Sequence, residues 1–497
     1  MTSLRRARPR PWWKRTNHRR LRVLHKACRP SLCKAALAIA LVGSGAAWGQ
    51  GATFNVNSSP NPVGSGARAL GMGAAFIAIA DDATAASWNP GGLTQLERPE
   101  LSLVYAWKSF GEDFESWTHP ELSNDHEVDL SEINYASFVY PLRRTIAGRN
   151  VVFSMNYLTQ YNFDRDLDLR LHQNTALTTT TANVSTALKY RQRGSIASLS
   201  PAFAFELTDT ISVGVTWNIY NQDLLPDNEW KVRQEERRQV RIGGVPVGVP
   251  VFLSQKEDFE DFDGHNFTFG ALWKPNSRWG VGAVYHTGFD ADINYSVTTI
   301  ASNGFYRDRR SKQTIEFPRA YGVGVSYRFP DDRLTLSFDV TRRDWNDFRI
   351  KDPYNPSFLN KYRSGVTGEP MFIAPKIDPT YTVRLGAEYV FVNDKAPEQN
   401  FMPSLRAGLF YDPEPASGRT TTFWDYGFQR WDRGDGSVDD IFGATLGVGL
   451  LMYDRVNLDF AYIYRWGRDV RQDTLNLAGT DVDVDQHQFY LSTVIYF

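Results

Sequence analysis

The sequence predicts an all-β protein: a 14-stranded antiparallel transmembrane β-barrel with a small N-terminal helical hatch, or plug, inside its lumen. Three observations predict it. From about residue 101, six short turns alternate with seven long connections. The segments between them alternate apolar and polar residues with period two, which suits a wall with lipid on one side and a polar lumen on the other. No apolar stretch reaches the roughly 18 residues of a transmembrane helix. Disorder is also excluded, because 42% of the 497 residues are hydrophobic and 14% aromatic, with 22% charged and a mean hydropathy of -0.40.

Residues 1–49 read as a secretory signal to be removed. Twelve Lys and Arg and no acid precede Ala35, and the apolar run Ala35 to Val42 is too short to span a bilayer. Small residues then suit cleavage after Gly49, or after Ala47. A basic nucleic-acid arm would have no such apolar run. Cleavage removes both cysteines, Cys28 and Cys33, so no disulfide, thiolate ligand or cysteine nucleophile is expected. It also leaves 43 Lys and Arg against 56 Asp and Glu, a net charge of -13 that argues against nucleic acid as a partner.

Residues 50–98 have a different character. Between Gly64 and Leu93 small residues dominate, and Ala and Gly let backbones pack closely. The stretch Asp81-Asp82-Ala-Thr-Ala-Ala reads as a short helix with acids in its first turn. Asn89-Pro90-Gly91-Gly92 then forces a turn. A helix-and-turn element of this size fits inside a barrel as a plug.

Residues 99–497 supply the barrel. Short turns fall near 141–149, 208–210, 274–278, 330–333, 392–403 and 453–455; long polar connections fall near 108–131, 164–195, 222–264, 290–315, 344–378, 412–441 and 466–485. Seven long connections with six returns require fourteen strands. Sorting by length is what an outer-membrane barrel shows, with its periplasmic end trimmed. In Leu334–Val340, Leu334, Leu336, Phe338 and Val340 share one face and Thr335, Ser337 and Asp339 the other. Tyr105, Trp107, Tyr285, Tyr464 and Trp466 gather near strand ends, where interfacial girdles sit. The chain ends in a strand closing on Phe497, with Ile495, Leu491 and Phe489 on one face, similar to the terminal signal that barrel-assembly machinery reads.

Gly66-Ala-Arg-Ala-Leu-Gly-Met-Gly-Ala-Ala-Phe76, Ile79-Ala-Asp-Asp-Ala83 and Trp88-Asn-Pro-Gly91 resemble the N-terminal hatch of the long-chain fatty-acid and aromatic-hydrocarbon transporters of the Gram-negative outer membrane. Gly91 stands where the family pattern has Ala. Phe338–Trp345, Tyr381–Tyr389 and Arg406–Pro415 also resemble that family, in the right order. The resemblance implies a monomeric barrel that takes up hydrophobic small molecules and releases them sideways into the membrane. The charged runs Arg307–Arg310 and Glu235–Arg238 read as solvated loops that suit lipopolysaccharide phosphates; outer-membrane lipid and barrel-assembly machinery are the other partners expected, and no cofactor is expected.

The connection 222–264 is unusually apolar, and Leu224, Leu225 and Trp230 are candidates for an outer ligand groove; a hairpin packing on itself is the plainer reading. In the hatch, Phe76, Ile77 and Trp88 are candidates for ligand contact, and Asn89, Pro90 and Gly91 for the turn that matters to gating. The glycines at 64, 66, 71 and 73 lack the spacing of a phosphate loop. The histidines are scattered without metal-ligand spacing, and no Ser/His pair is singled out for catalysis. Two other classes stand beside transport: a structural or secretion-accessory barrel, and a lipid-modifying enzyme.

Overall fold

A computed structural model describes residues 60–116, 119–142, 148–176, 180–351, 377–393, 399–415, 422–425, 428–431, 437–470 and 480–497. The expected signal and its cleavage site lie outside the described residues. The wall begins with β1 (Glu100–Ser116), β2 (Asn124–Pro141) and β3, which is broken into Val151–Asn162 and Arg165–Ala176. It continues with β4 (Thr181–Glu206), β5 (Ile211–Asn221 and Glu229–Ile242) and β6 (Val251–Trp273). Next come β7 (Trp279–His286 and Phe289–Ala301), β8 (Tyr306–Phe317 and Ala320–Arg328) and β9 (Leu334–Arg343, resuming at Arg349–Lys351). The last five are β10 (Thr380–Val390), β11 (Phe401–Tyr411), β12 (Ile441–Met452), β13 (Val456–Val470) and β14 (Thr480–Tyr496). Neighbours pair antiparallel, and β14 returns to β1 from Glu100↔Tyr496 to Ser116↔Thr480, closing a 14-strand barrel.

Closure gives each wall strand a partner on both sides over most of the membrane-facing band, which is what lets a sheet stand in lipid. The two faces then sort by chemistry. On β9, Leu336 and Phe338 point outward and are exposed, while Ser337 and Asp339 point inward and are buried, as the period-two reading expects. On β11, β12 and β13 the outward set includes Leu405, Leu409, Leu446, Val448 and Phe460, and the inward set Arg406, Thr445 and Asp459. Apolar side chains are exposed here because their solvent is lipid.

The short turns near 208–210, 274–278, 330–333 and 453–455 lie between strands where expected, and those near 141–149 and 392–403 fall partly outside the described residues. The long connections do not stay loops. Residues 164–195, 222–264 and 290–315 are mostly strand, because β3 with β4, β5 with β6 and β7 with β8 continue as paired ribbons past the membrane-facing band. Their many charges read as loop in sequence, yet one face carries buried apolar residues such as Leu167, Leu169 and Val232, and the backbone partners of the ladder are present. Parts of 344–378, 412–441 and 466–485 lie outside the described residues.

Inside the wall, residues 60–98 form α1 (Ala67–Gly71), α2 (Ala85–Trp88) and a 3-10 helix (Pro90–Gln95). The expected helix begins at Ala85 rather than at the two aspartates: the Asp82 carboxylate accepts from the Thr84 backbone N–H at 2.9 Å and from its hydroxyl at 2.6 Å, holding 82–84 as a turn. Wall glycines receive this segment. A Cβ at Gly408 would lie 2.2 Å from the Gly73 nitrogen, and one at Gly282 2.3 Å from the Ile77 oxygen. Gly73 itself has φ +64°, a backbone state in which a side chain is strained.

Candidate functional site

The inner segment is bonded around the whole circumference. Ser65 Oγ donates to Asn134 Oδ1 on β2 at 2.5 Å, and Tyr135 OH and Ser137 Oγ donate to the Ala83 carbonyl at 3.0 and 2.8 Å. On β5, Ser212 Oγ donates to Gly91 O and Thr216 Oγ1 to Ala86 O at 2.7 and 2.9 Å. Ile77 N–H donates to Asp339 Oδ2 on β9 at 2.9 Å, Thr445 Oγ1 on β12 donates to Gly71 O at 2.8 Å, and Ala67 N–H donates to Ser492 Oγ on β14 at 2.6 Å. Partners on opposite sides of a closed wall place the segment across the lumen.

Arg68 adds charge to these anchors. Its guanidinium meets Asp81 at 2.6 Å and Glu388 at 2.8 Å, and Asp82 lies 3.6 Å away. Burial pushes the Asp82 carboxyl up from its ordinary value, against the opposing pull of Arg68 and Thr84.

Two small cavities adjoin this segment, each of about 40 Å³, and Pro62, Val63, Ser87, His286 and Arg343 border both. Leu158, Tyr161, Tyr220, Phe289 and Phe317 form the apolar side of the upper one, and Gln160, Asn218, Asn266 and Thr268 its polar side. Its rings are stacked: Phe289 lies 4.7 Å from Phe317 at 7°, and 5.1 Å from Tyr220 at 10°. Ile77, Trp88, Val284 and Arg384 line the lower one. A dry site that holds benzene is about 150 Å³, so neither cavity admits a ligand until something shifts. Pro62 and Val63 are held by their neighbour Asn61, whose amide donates to Asp412 Oδ1 at 3.0 Å and accepts from Trp345 Nε1 at 2.9 Å.

Arg343 decides the chemistry of the site. It is buried, its Nε has no hydrogen-bond partner, and it forms no ion pair among the described residues. Arg384, also buried, lies 4.0 Å from Asp412. A buried cation without a counter-ion is costly, and an anion delivered beside it removes that cost.

The wall beside the upper cavity is interrupted. Pairing of β2 with β3 runs from Pro141↔Val152 to Tyr135↔Leu158 and goes no higher, whereas β1 stays paired with β2 up to Asn124. At the break β3 carries a bulge between Thr159 and Tyr161. There Asn134 Nδ2 reaches the Thr159 carbonyl at 3.4 Å, and Thr159 Oγ1 the Ile133 carbonyl at 3.2 Å.

The candidate residues read from sequence separate into groups. Ile77 and Trp88 border the lower cavity; Phe76 is fully buried within the segment, edge-on to Trp88 at 5.9 Å. Asn89 caps the 3-10 helix, accepting from Gly91 N–H at 3.0 Å and donating to Ile77 O and Ala271 O at 2.8 and 3.0 Å. Pro90 sits against Gly270 and Gly214 of the wall. Trp230 is only 6% exposed, stacked between Phe163 at 4.7 Å and Phe259 at 4.4 Å, whereas Leu224 is 55% exposed and Leu225 half-buried. The three do not form one surface. Arg343 and the rings of Tyr161, Tyr220, Phe289 and Phe317 were not among the candidates. Arg343 carried a signal: it is in step with Asp339 and Thr341 on the inward face of β9.

No curated protein matches the sequence. Among solved structures, the barrel is similar to a FadL homologue of Pseudomonas aeruginosa (TM-score 0.55, 15% identity, covering 87% of this chain and 99% of that one). It is also similar to the Pseudomonas putida toluene transporter TodX (TM-score 0.50, 12% identity, covering 88% and 98%). At these identities the likeness shows the fold. The family model described as outer membrane protein transport protein (OMPP1/FadL/TodX) matches residues 40–492. The chain therefore belongs to this family of outer-membrane transport channels for hydrophobic compounds, which are not enzymes.

Proposed function

We propose that this channel takes up hydrophobic molecules bearing an anionic head, of the long-chain fatty-acid type, and releases them sideways between β2 and β3. The observation that carries the reading is Arg343, buried and in no ion pair among the described residues, where two cavities meet beneath stacked rings. An apolar chain gains by leaving water for the ring-lined space, and a carboxylate supplies the charge that Arg343 lacks. An arene such as toluene, carried by the P. putida relative, would also suit the rings but would leave Arg343 unpaired. Lateral release is supported by the missing β2–β3 pairing, because the ladder ends at Leu158, which borders the upper cavity together with Tyr161 just past the bulge. A water-filled pore would offer an apolar solute nothing, so an inner segment that shifts and a sideways exit replace it.

The test is uptake of a radiolabelled long-chain fatty acid, with an aromatic hydrocarbon in parallel, by cells that express this chain and lack their own such transporter. Fatty-acid uptake that depends on Arg343 supports the reading. Uptake of the hydrocarbon alone overturns the anionic head, and uptake of neither by an assembled barrel favours an accessory role.

A further inference from the structure

The upper cavity is only half apolar. Besides its rings it is bordered by polar side chains that run as a row along one level of the wall. Ser200 Oγ on β4 donates to Asn218 Oδ1 on β5 at 2.9 Å, and Asn218 Nδ2 donates to Asn266 Oδ1 on β6 at 2.8 Å and to Thr268 Oγ1 at 3.2 Å. Thr268 Oγ1 in turn lies 2.9 Å from His286 Nδ1 on β7. His286 pairs with Ala320 of β8 and Ala320 with Arg343 of β9, so the row ends at the guanidinium.

Polar residues are ordinary inside a barrel, but two that border this cavity are left with an unused donor. The Asn266 side-chain oxygen accepts from Asn218, and the Gln160 oxygen accepts from the Tyr220 hydroxyl. Neither Asn266 Nδ2 nor Gln160 Nε2 has a hydrogen-bond partner among the described residues. Both lie away from the charged end of the site: Arg343 and His286 border both cavities, whereas Gln160 and Asn266 border only the upper one. Three strand spacings separate β9, which carries Arg343, from β6, which carries Asn266, about 14 Å along the wall at ~4.8 Å each.

We propose that the molecule carried has an acceptor oxygen well down its chain, a hydroxyl, keto or epoxide group, and that Asn266 and Gln160 donate to it. The inference rests on the anionic-head reading at Arg343 and adds a second polar point to the ligand. A plain hydrocarbon chain packed on the rings would cover both amides and return no hydrogen bond, and a buried donor left without an acceptor is costly. An oxygenated chain restores the bond, and a site built in this way rejects the analogue that lacks the oxygen. An oxygen next to the carboxylate would lie beside Arg343, three strands from Asn266, and would restore nothing.

The test compares three radiolabelled acids in cells that express the full chain and lack their own such transporter, with uptake by cells without the chain subtracted. They are oleate, ricinoleate, which is oleate with a hydroxyl in mid-chain, and oleate hydroxylated beside its carboxylate. Initial uptake of ricinoleate is expected to exceed that of the other two roughly tenfold, the effect of one hydrogen bond denied to a buried donor. Asn266→Leu combined with Gln160→Met removes the donors at similar side-chain size. It should bring the ratio of ricinoleate to oleate uptake close to one, in barrels whose heat-modified mobility shows them assembled. Equal uptake of the three acids by the unaltered chain, a comparison that needs no variant, overturns the proposal, as does a ratio that survives the double change. The methyl esters separate this inference from the reading it rests on. Preference for methyl ricinoleate over methyl oleate, with ricinoleate uptake unaffected by Arg343→Gln, would keep the chain oxygen and remove the anionic head.

Discussion

Arg68 in the lumen grips Glu388 on β10 through two hydrogen bonds, Nε to Oε1 at 2.9 Å and Nη2 to Oε2 at 2.8 Å. The same carboxylate accepts from Arg406 Nε at 2.7 Å, and Arg406 reaches on to Asp459 at 2.7 Å. A surface pair would contribute little, but these groups are largely withdrawn from water and removing one leaves its partners charged and buried. Glu388→Gln should therefore loosen the inner segment at a cost of about 3 kcal/mol. Heat-modified mobility of the folded barrel checks it, together with single-channel conductance. A lower unfolding temperature with a leaky lumen is the expected outcome.

Arg343→Gln separates the two substrate classes. Losing a charged hydrogen-bond donor to a carboxylate costs roughly 2 kcal/mol, more than tenfold in initial uptake of a long-chain fatty acid. An aromatic hydrocarbon makes no such bond, so its uptake should hold. A variant that transports the fatty acid at the unaltered rate removes Arg343 from the binding site.

Asn134 joins the inner segment to the end of the β2–β3 ladder, accepting from Ser65 and donating to Thr159. Residues that act through one bond lose more together than independence allows. Ser65→Ala and Asn134→Ala are expected to alter uptake non-additively, by about 1 kcal/mol or roughly fivefold. Additive rates in this double-mutant cycle would mean that the inner segment and the wall break act separately.

Trp230 tests whether the inner aromatic cluster is packing or binding surface. Stacked between Phe163 and Phe259, it should cost about 3 kcal/mol when replaced by Ala. Leu224→Ala, at an exposed position, should be near neutral. Thermal unfolding of both variants beside their uptake rates distinguishes the roles: uptake lost in Trp230→Phe with stability kept would assign the ring to ligand.

Much of this molecule was legible one strand at a time. Leu336 and Phe338 against Ser337 and Asp339 declare a two-faced wall locally, and the turn at Pro330 to Arg333 declares where it reverses. The ribbons of 164–195 and 222–264 were not legible as strands. Their density of charge reads as loop, yet one face stays apolar and buried, as at Leu167, Leu169, Leu188, Trp230 and Val232, and the backbone ladder continues. Trp230 was legible as notable but not as buried, since Phe163 comes to it from the break in β3 and Phe259 from β6.

The sequence by itself determined the barrel, its fourteen strands, the sidedness of their faces and the small-residue segment before them, because period, turn chemistry and glycine content are properties of neighbouring residues. Only the tertiary structure decided the site. Arg68 meets Glu388 across 320 positions and Ser65 meets Asn134 across 69. Closing the sheet brings Phe289 and Phe317 face to face over a cavity and leaves Arg343 there with no ion pair among the described residues. Such meetings depend on register and closure, which the whole wall sets together and no single segment encodes.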